Sequence, residues 1–159
     1  MIEICSNKTD EYTEKLQAAA AAAAAVFKQK DRLAVSFSFV SAKRMREINL
    51  KFRKKDKPTD VLSFPALDLK GAARGVPVIR AKDWPLDRSE DGAVFIGDII
   101  ICKSIAKKQG REYGHGEERE IEYLFIHGLL HLFGFDHKDD GDKKVMREYE
   151  EKILGKVRK

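Results

Sequence analysis

Three of the four histidines in this 159-residue chain fall within eleven positions, in the run His127-Gly128-Leu129-Leu130-His131-Leu132-Phe133-Gly134-Phe135-Asp136-His137. Residues four apart share one face of a helix, so a helix through this run projects the His127 and His131 imidazoles toward a common point. Gly134 stands where that helix must stop, and glycine enters the left-handed conformation that ends helices without a Cβ penalty. The resulting turn would carry His137 back toward the other two rings. Three neutral imidazoles on one centre make the open half-shell of a zinc site, with a fourth position left for water or substrate. A core histidine with a satisfied hydrogen bond would explain one such residue, but not three at ligand spacing around a turn glycine. A closed structural site lacks a fourth ligand: His115 lies upstream on another turn, and Asp136 adjoins His137, which already points inward.

The spacing matches the metzincin metalloprotease signature, H-E-x-x-H-x-x-G-x-x-H, at each ligand and at the glycine. Gly128 departs from it, standing where those proteases keep the glutamate that acts as general base. Loss of such a base typically removes about a hundred- to ten-thousand-fold in rate, so peptide hydrolysis is not expected. Neutral ligands leave the ion its full double charge, enough to bring the pKa of a bound water to about 7 and to polarise a phosphodiester oxygen.

Charge distribution agrees with an anionic substrate. Between Lys43 and Lys57 stand eight Lys or Arg and two acids, a balance of +6 in a chain whose total is +5, so the remainder sums to −1. Taken alone, such a run is more often a solvated face. Beside a metal site it reads as a phosphate-binding segment.

The elements that must position these groups follow from periodicity. The alanine tract Ala18–Ala25 predicts a helix over 9–30. Residues 33–39 alternate as a half-buried strand, and 43–52 return to helical spacing with Met45, Ile48 and Phe52 inward. Val61–Phe64, bracketed by Pro58 and Pro65, suits a sheet edge. Residues 66–92 read as a long surface excursion with a short strand at Val76–Arg80. The apolar run 94–101 predicts a strand covered on both faces. Helices follow from Ser104, over 117–133, and over 142–154 with Val145, Met146, Tyr149 and Ile153 inward. Asp139, Asp140 and Asp142 are expected to cap the last of these. The fold class is α+β: one domain spanning residues 1–159, a mixed four- to five-stranded sheet packed with helices, and a zincin-like metal helix. No apolar stretch is long enough for a bilayer span, and the N-terminus shows no secretory leader. Cys5 and Cys102 are expected as buried free thiols in a reducing cytoplasm.

The histidine run resembles the H-G-x-L-H-L-x-G-[YF]-D-H signature of the YbeY family. A second block, Asn49-Leu50-Lys51-Phe52-Arg53-Lys54-Lys55-Asp56-Lys57-Pro58-Thr59-Asp60-Val61-Leu62-Ser63-Phe64-Pro65, and a third, Gly97-Asp98-Ile99, agree with the same family. The resemblance covers the order of elements from about residue 33 to 154. It implies a zinc-dependent endoribonuclease for single-stranded RNA, active in the cytoplasm in ribosomal RNA maturation and ribosome quality control. It also implies partners in the small ribosomal subunit, among them a small-subunit ribosomal protein and the GTPase Era, and an important arginine at Arg53.

Arg53 is expected to clamp a phosphate oxygen across a groove between the metal helix and the Val61–Phe64 strand. The alternative is a structural ion pair with Asp56 or Asp60. Lys51, Lys54, Lys55 and Lys57 would add sequence-independent attraction to the RNA backbone. Asp98 is open to two readings, a carboxylate supporting a metal ligand or an ordinary structural hydrogen bond. Met146 is expected in the core rather than beneath the metal. The general base is not legible: metal-bound hydroxide or the RNA 2′-hydroxyl could attack. Two rival functions are a non-catalytic RNA-binding or ribosome-assembly factor with a structural metal, and a metallopeptidase.

Overall fold

The computed structural model describes residues 1–6, 11–69, 78–136 and 138–158. In chain order the elements are β1 (Ile2–Cys5), α1 (Thr13–Phe27), β2 (Leu33–Val40), α2 (Ala42–Arg53), β3 (Val61–Pro65), a single 3-10 turn (Ala81–Asp83), β4 (Val94–Cys102), α3 (Lys103–Glu112), α4 (Gly116–Leu132) and α5 (Asp140–Val157). The four strands form one mixed sheet in the order β1-β2-β4-β3. β1 and β2, and β2 and β4, run parallel; β3 is antiparallel to β4 and forms the edge.

The apolar run of β4 sits inside the sheet because both its faces are covered. Ile99 and Ile101 belong to the main core with Phe125, Leu129 and Leu132 of α4. Cys102 and Ile100 turn to the opposite layer, where Met45 and Ile48 of α2 pack with Leu62. The small side chains of α1 bury Ala19, Ala20 and Ala23 completely, and this helix packs on β1, α4 and α5. α4 and α1 therefore share one face of the sheet while α2 covers the other.

Several expectations require correction. β1 adds a strand to those expected: Ile2 and Ile4 alternate with Glu3 over only four residues, and parallel pairing with β2 supplies the order. α1 ends at Phe27, three residues early, because Lys28 adopts the left-handed conformation (φ 55°) and caps the helix. Its expected start at residue 9 lies outside the described residues. So do 76 and 77 of the short strand placed at 76–80, and residues 78–80 join no strand. Phe52 is 59% exposed rather than inward. The last turn of α2 overhangs the sheet edge, where its ring meets Phe64 edge-on at 5.2 Å between centroids. Asn49 takes an inner position instead, donating from Nδ2 to the Lys57 carbonyl at 2.8 Å and tying α2 to the loop that follows. Cys5 and Cys102 are free thiols, but Cys5 is exposed at the end of β1.

Candidate metal centre

α4 carries His127 and His131 on the one side that the core leaves open; Ile126, Leu129 and Leu130 around them are fully buried. The helix closes with two bonds of the Schellman type: Phe135 N–H donates to the Leu130 carbonyl (3.0 Å) and Gly134 N–H to the His131 carbonyl (3.0 Å). Gly134 makes this possible at φ 92°, a conformation that strains any other residue. The same turn aims the Phe135 carbonyl at His131, whose Nδ1 donates to it at 3.0 Å.

His127 is oriented from a different helix. Its Nδ1 donates to Oε1 of Glu150 on α5 at 2.9 Å. Glu150 is buried, and the Tyr123 hydroxyl lies against it; burial first, and then the Glu150 charge, pushes that hydroxyl above the ordinary tyrosine pKa. A carbonyl can only accept, so His131 carries its proton on Nδ1, and a carboxylate partner selects the same tautomer for His127. In these tautomers the two Nε2 atoms, 3.2 Å apart, are the unprotonated nitrogens, and each has a lone pair to give to a shared cation. Zinc–nitrogen bonds of about 2.0–2.1 Å at a tetrahedral angle place two ligand nitrogens roughly 3.3–3.4 Å apart. The donor pair fits such an ion, with carboxylate and carbonyl partners of the kind that orient metal-bound histidines. Among the described residues no group of three or more ligating side chains comes together. His137, the third expected ligand, lies outside them.

The two rings open on a cleft of about 550 Å³ between α4 and β3. Arg53, Asp60 and Ser63 line it from the α2–β3 side, and His127, His131 and Asp136 from the α4 side. The floor is close-packed: a Cβ on Gly128 would stand 3.0 Å from Ile99 Cγ2. Gly128 lets α4 lie close against β4, and a side chain at that position would crowd the Ile99 side chain, which would have to shift by a few tenths of an ångström.

A family model described as endoribonuclease YbeY matches residues 2–158 of the chain. Relatives named endoribonuclease YbeY include one from Caldicellulosiruptor bescii, 40% identical over 129 residues (81% of this chain, 76% of the relative), and one from Bacillus pumilus, 38% identical over 154 residues (97% and 91%). The solution structure of TM1509 from Thermotoga maritima superposes with a TM-score of 0.56 at 26% identity, covering 99% of this chain and 92% of that one. The chain belongs to the endoribonuclease YbeY family.

In this YbeY-family chain the expected site residues separate into two groups. Arg53 shares the cleft with His127 and His131 and makes no ion pair among the described residues. The two carboxylates considered as its partners are engaged elsewhere. Asp56 accepts two hydrogen bonds from Arg46 (2.6 and 3.0 Å), which hold its carboxyl below the usual range, and Asp60 Oδ1 accepts from Val61 N–H at 2.7 Å. Lys51, Lys54, Lys55 and Lys57 are all exposed and lie outside the cleft wall. Lys51 Nζ sits 5.3 Å from the Phe52 ring centroid.

Asp98 does not support the metal ligands. It alternates with Ile99 along β4, so it points to the α2 layer while Ile99 meets α4. Asp139 caps α5, its Oδ1 accepting from Asp142 N–H at 2.8 Å. Met146 is buried in the main core. Glu150 belongs to the site without having been expected there, although the sequence holds a signal for it. It follows Met146 by four positions and precedes Ile153 by three, so an acid occupies the apolar face of α5.

Proposed function

We propose that this protein is a zinc-dependent endoribonuclease that cuts single-stranded RNA during ribosomal RNA maturation and ribosome quality control. The observation that carries the reading is the pair of Nε2 atoms 3.2 Å apart, opening on a cleft whose opposite wall includes Arg53. His127, His131 and His137 would hold one zinc ion. When bound, the ion supplies Lewis acidity and a water of lowered pKa at the phosphodiester. Glu150 and the Phe135 carbonyl hold the two described imidazoles in the tautomer whose Nε2 is unprotonated, the form that ligates a metal. Arg53, a planar donor with several N–H groups, clamps a non-bridging phosphate oxygen and offsets the charge that grows in the transition state. Lys51, Lys54, Lys55 and Lys57 draw the RNA backbone toward the cleft from outside it.

The biological setting rests on the family. It points to a ribosomal RNA precursor as substrate, with the small ribosomal subunit, a small-subunit ribosomal protein and the GTPase Era as partners, in the cytoplasm. No helix among the described residues is long and apolar enough to cross a membrane. The decisive experiment is cleavage of single-stranded RNA by zinc-loaded wild-type protein free of contaminating nucleases, beside folded His127→Ala and Arg53→Ala variants. Activity in the wild type and loss in both variants is the expected pattern. RNA left intact by the wild type would favour a non-catalytic assembly factor, and full activity in either variant would reject the site.

A further inference from the structure

The cleft does not end at His127. A second cavity of about 490 Å³ shares His127, Asp60 and Val61 with it and continues along the start of α4 toward the end of α3. Its volume lies within the range of small-molecule sites. Its chemistry is unlike that of the metal cleft. Among the described residues no lysine or arginine lines it, and its charged walls are the acids Asp60 and Glu120, so it repels a phosphate. What it offers instead is aromatic and amide surface. Tyr113, at the end of α3, is 64% exposed and meets the His115 ring edge-on at 5.9 Å. His115 is itself held by a 2.6 Å hydrogen bond between its Nε2 and Glu120, which is 2% exposed, so this aromatic wall is braced from beneath. Gln109 lines the same cavity, and its Oε1 is buried without a hydrogen-bond partner among the described residues. That oxygen lies beneath the cavity surface, so a small turn of the Gln109 side chain is needed to present it, and an N–H brought to it then satisfies a buried acceptor.

A neutral, planar group with N–H donors on its edge fits these walls, and in an RNA strand that group is a base. We infer that the cavity is a nucleobase subsite beside the scissile phosphate, with the Tyr113 ring as stacking platform and the Gln109 amide as partner to the base edge. The inference rests on the RNA-cleaving reading. It divides the nucleotide between two adjoining spaces: phosphate at the Arg53 and histidine cleft, base beyond His127. Stacking of one base on an aromatic side chain is sequence-tolerant, so Tyr113 supplies affinity and Gln109 supplies preference.

The test uses the full-length zinc-loaded protein and a set of short single-stranded RNA oligonucleotides, made resistant to cleavage, in which one abasic nucleotide is walked along the strand. Wild-type protein should lose about tenfold in affinity when the abasic position falls at the subsite, an effect within the range of one base stacked on an aromatic ring. Tyr113→Ala should bind the intact strand about tenfold more weakly and show no further loss at that position, whereas Tyr113→Phe should behave as wild type. On cleavable RNA, Tyr113→Ala should raise KM with little change in kcat, and Gln109→Ala should alter which base flanks the cut. Equal affinity of wild type and Tyr113→Ala for every oligonucleotide overturns the subsite, and does so whether or not the protein cleaves RNA. An abasic penalty tied to Tyr113 in a protein that cuts no RNA would keep the subsite and reject the nuclease reading. Failure of wild-type protein to bind any of the strands contradicts both.

Discussion

His127 and Glu150 stand twenty-three positions apart in sequence, yet Nδ1 of one donates to Oε1 of the other at 2.9 Å. The bond makes α5 part of the candidate metal centre without giving it a ligand. A carboxylate behind a metal-bound histidine fixes the ring and raises its basicity. Glu150→Ala should therefore weaken zinc binding about 10–100-fold while the helical signal persists. Competition against a chelator of known affinity measures this, and unchanged zinc affinity would show that Glu150 serves packing alone.

Arg53 faces the cleft with no ion pair among the described residues, so its removal strands no buried carboxylate. Arg53→Ala should lower RNA cleavage about 10²–10³-fold, the range for removing one donor to a developing charge. Thermal stability should stay within about 0.5 kcal/mol of wild type, as for other exposed positions. Arg53→Lys should recover only part of the activity, because an ammonium cannot offer the planar, bidentate donor set. A large drop in stability would mean that Arg53 is structural.

The four exposed lysines predict a salt effect rather than a catalytic one. Neutralising Lys51, Lys54, Lys55 and Lys57 together should flatten the dependence of RNA affinity on salt. The log–log slope should fall by about 0.7 for each phosphate of the single strand that the variant no longer neutralises. kcat at saturating RNA should change little. If the slope is the same in the variant as in wild type, these lysines form a solvated face and no more.

Gly97 predicts where the fold breaks. A Cβ there would lie 2.4 Å from the Phe64 carbonyl oxygen and 2.7 Å from Leu132 Cδ2, at a φ of 142°. Neither β3 nor α4 can retreat without disturbing the cleft between them. Gly97→Ala should destabilise the protein by roughly 3 kcal/mol or more, from backbone strain and overpacking together. Denaturant unfolding checks it, and a midpoint close to wild type would show that β3 and α4 separate easily.

Much of the fold and the site is legible along the chain because the signals are local. The i, i+4 spacing of His127 and His131, the turn at Gly134, the proline-bracketed edge strand and the buried run of β4 each depend on residues a few positions apart. What escapes depends on distant pairing or on a layer's limits. β1 is ordered by β2, some thirty residues away. Phe52 keeps the right helical period but falls where α2 has run past the sheet edge. Asp98 sits in a family block near the site, yet the two-residue repeat of a strand turns it to the other face. Glu150 announces itself only as an acid on an apolar stripe, and its meaning comes from the helix opposite.

The central claim is that the facing Nε2 atoms of His127 and His131 are metal ligands. The most direct measurement is zinc content and zinc affinity of the purified protein, taken side by side for wild type, His127→Ala and His131→Ala, each shown to be folded. One zinc per chain in wild type, with occupancy lost in both variants, is the predicted result. Wild type without a tight zinc site, or variants that retain zinc at one per chain, would contradict it.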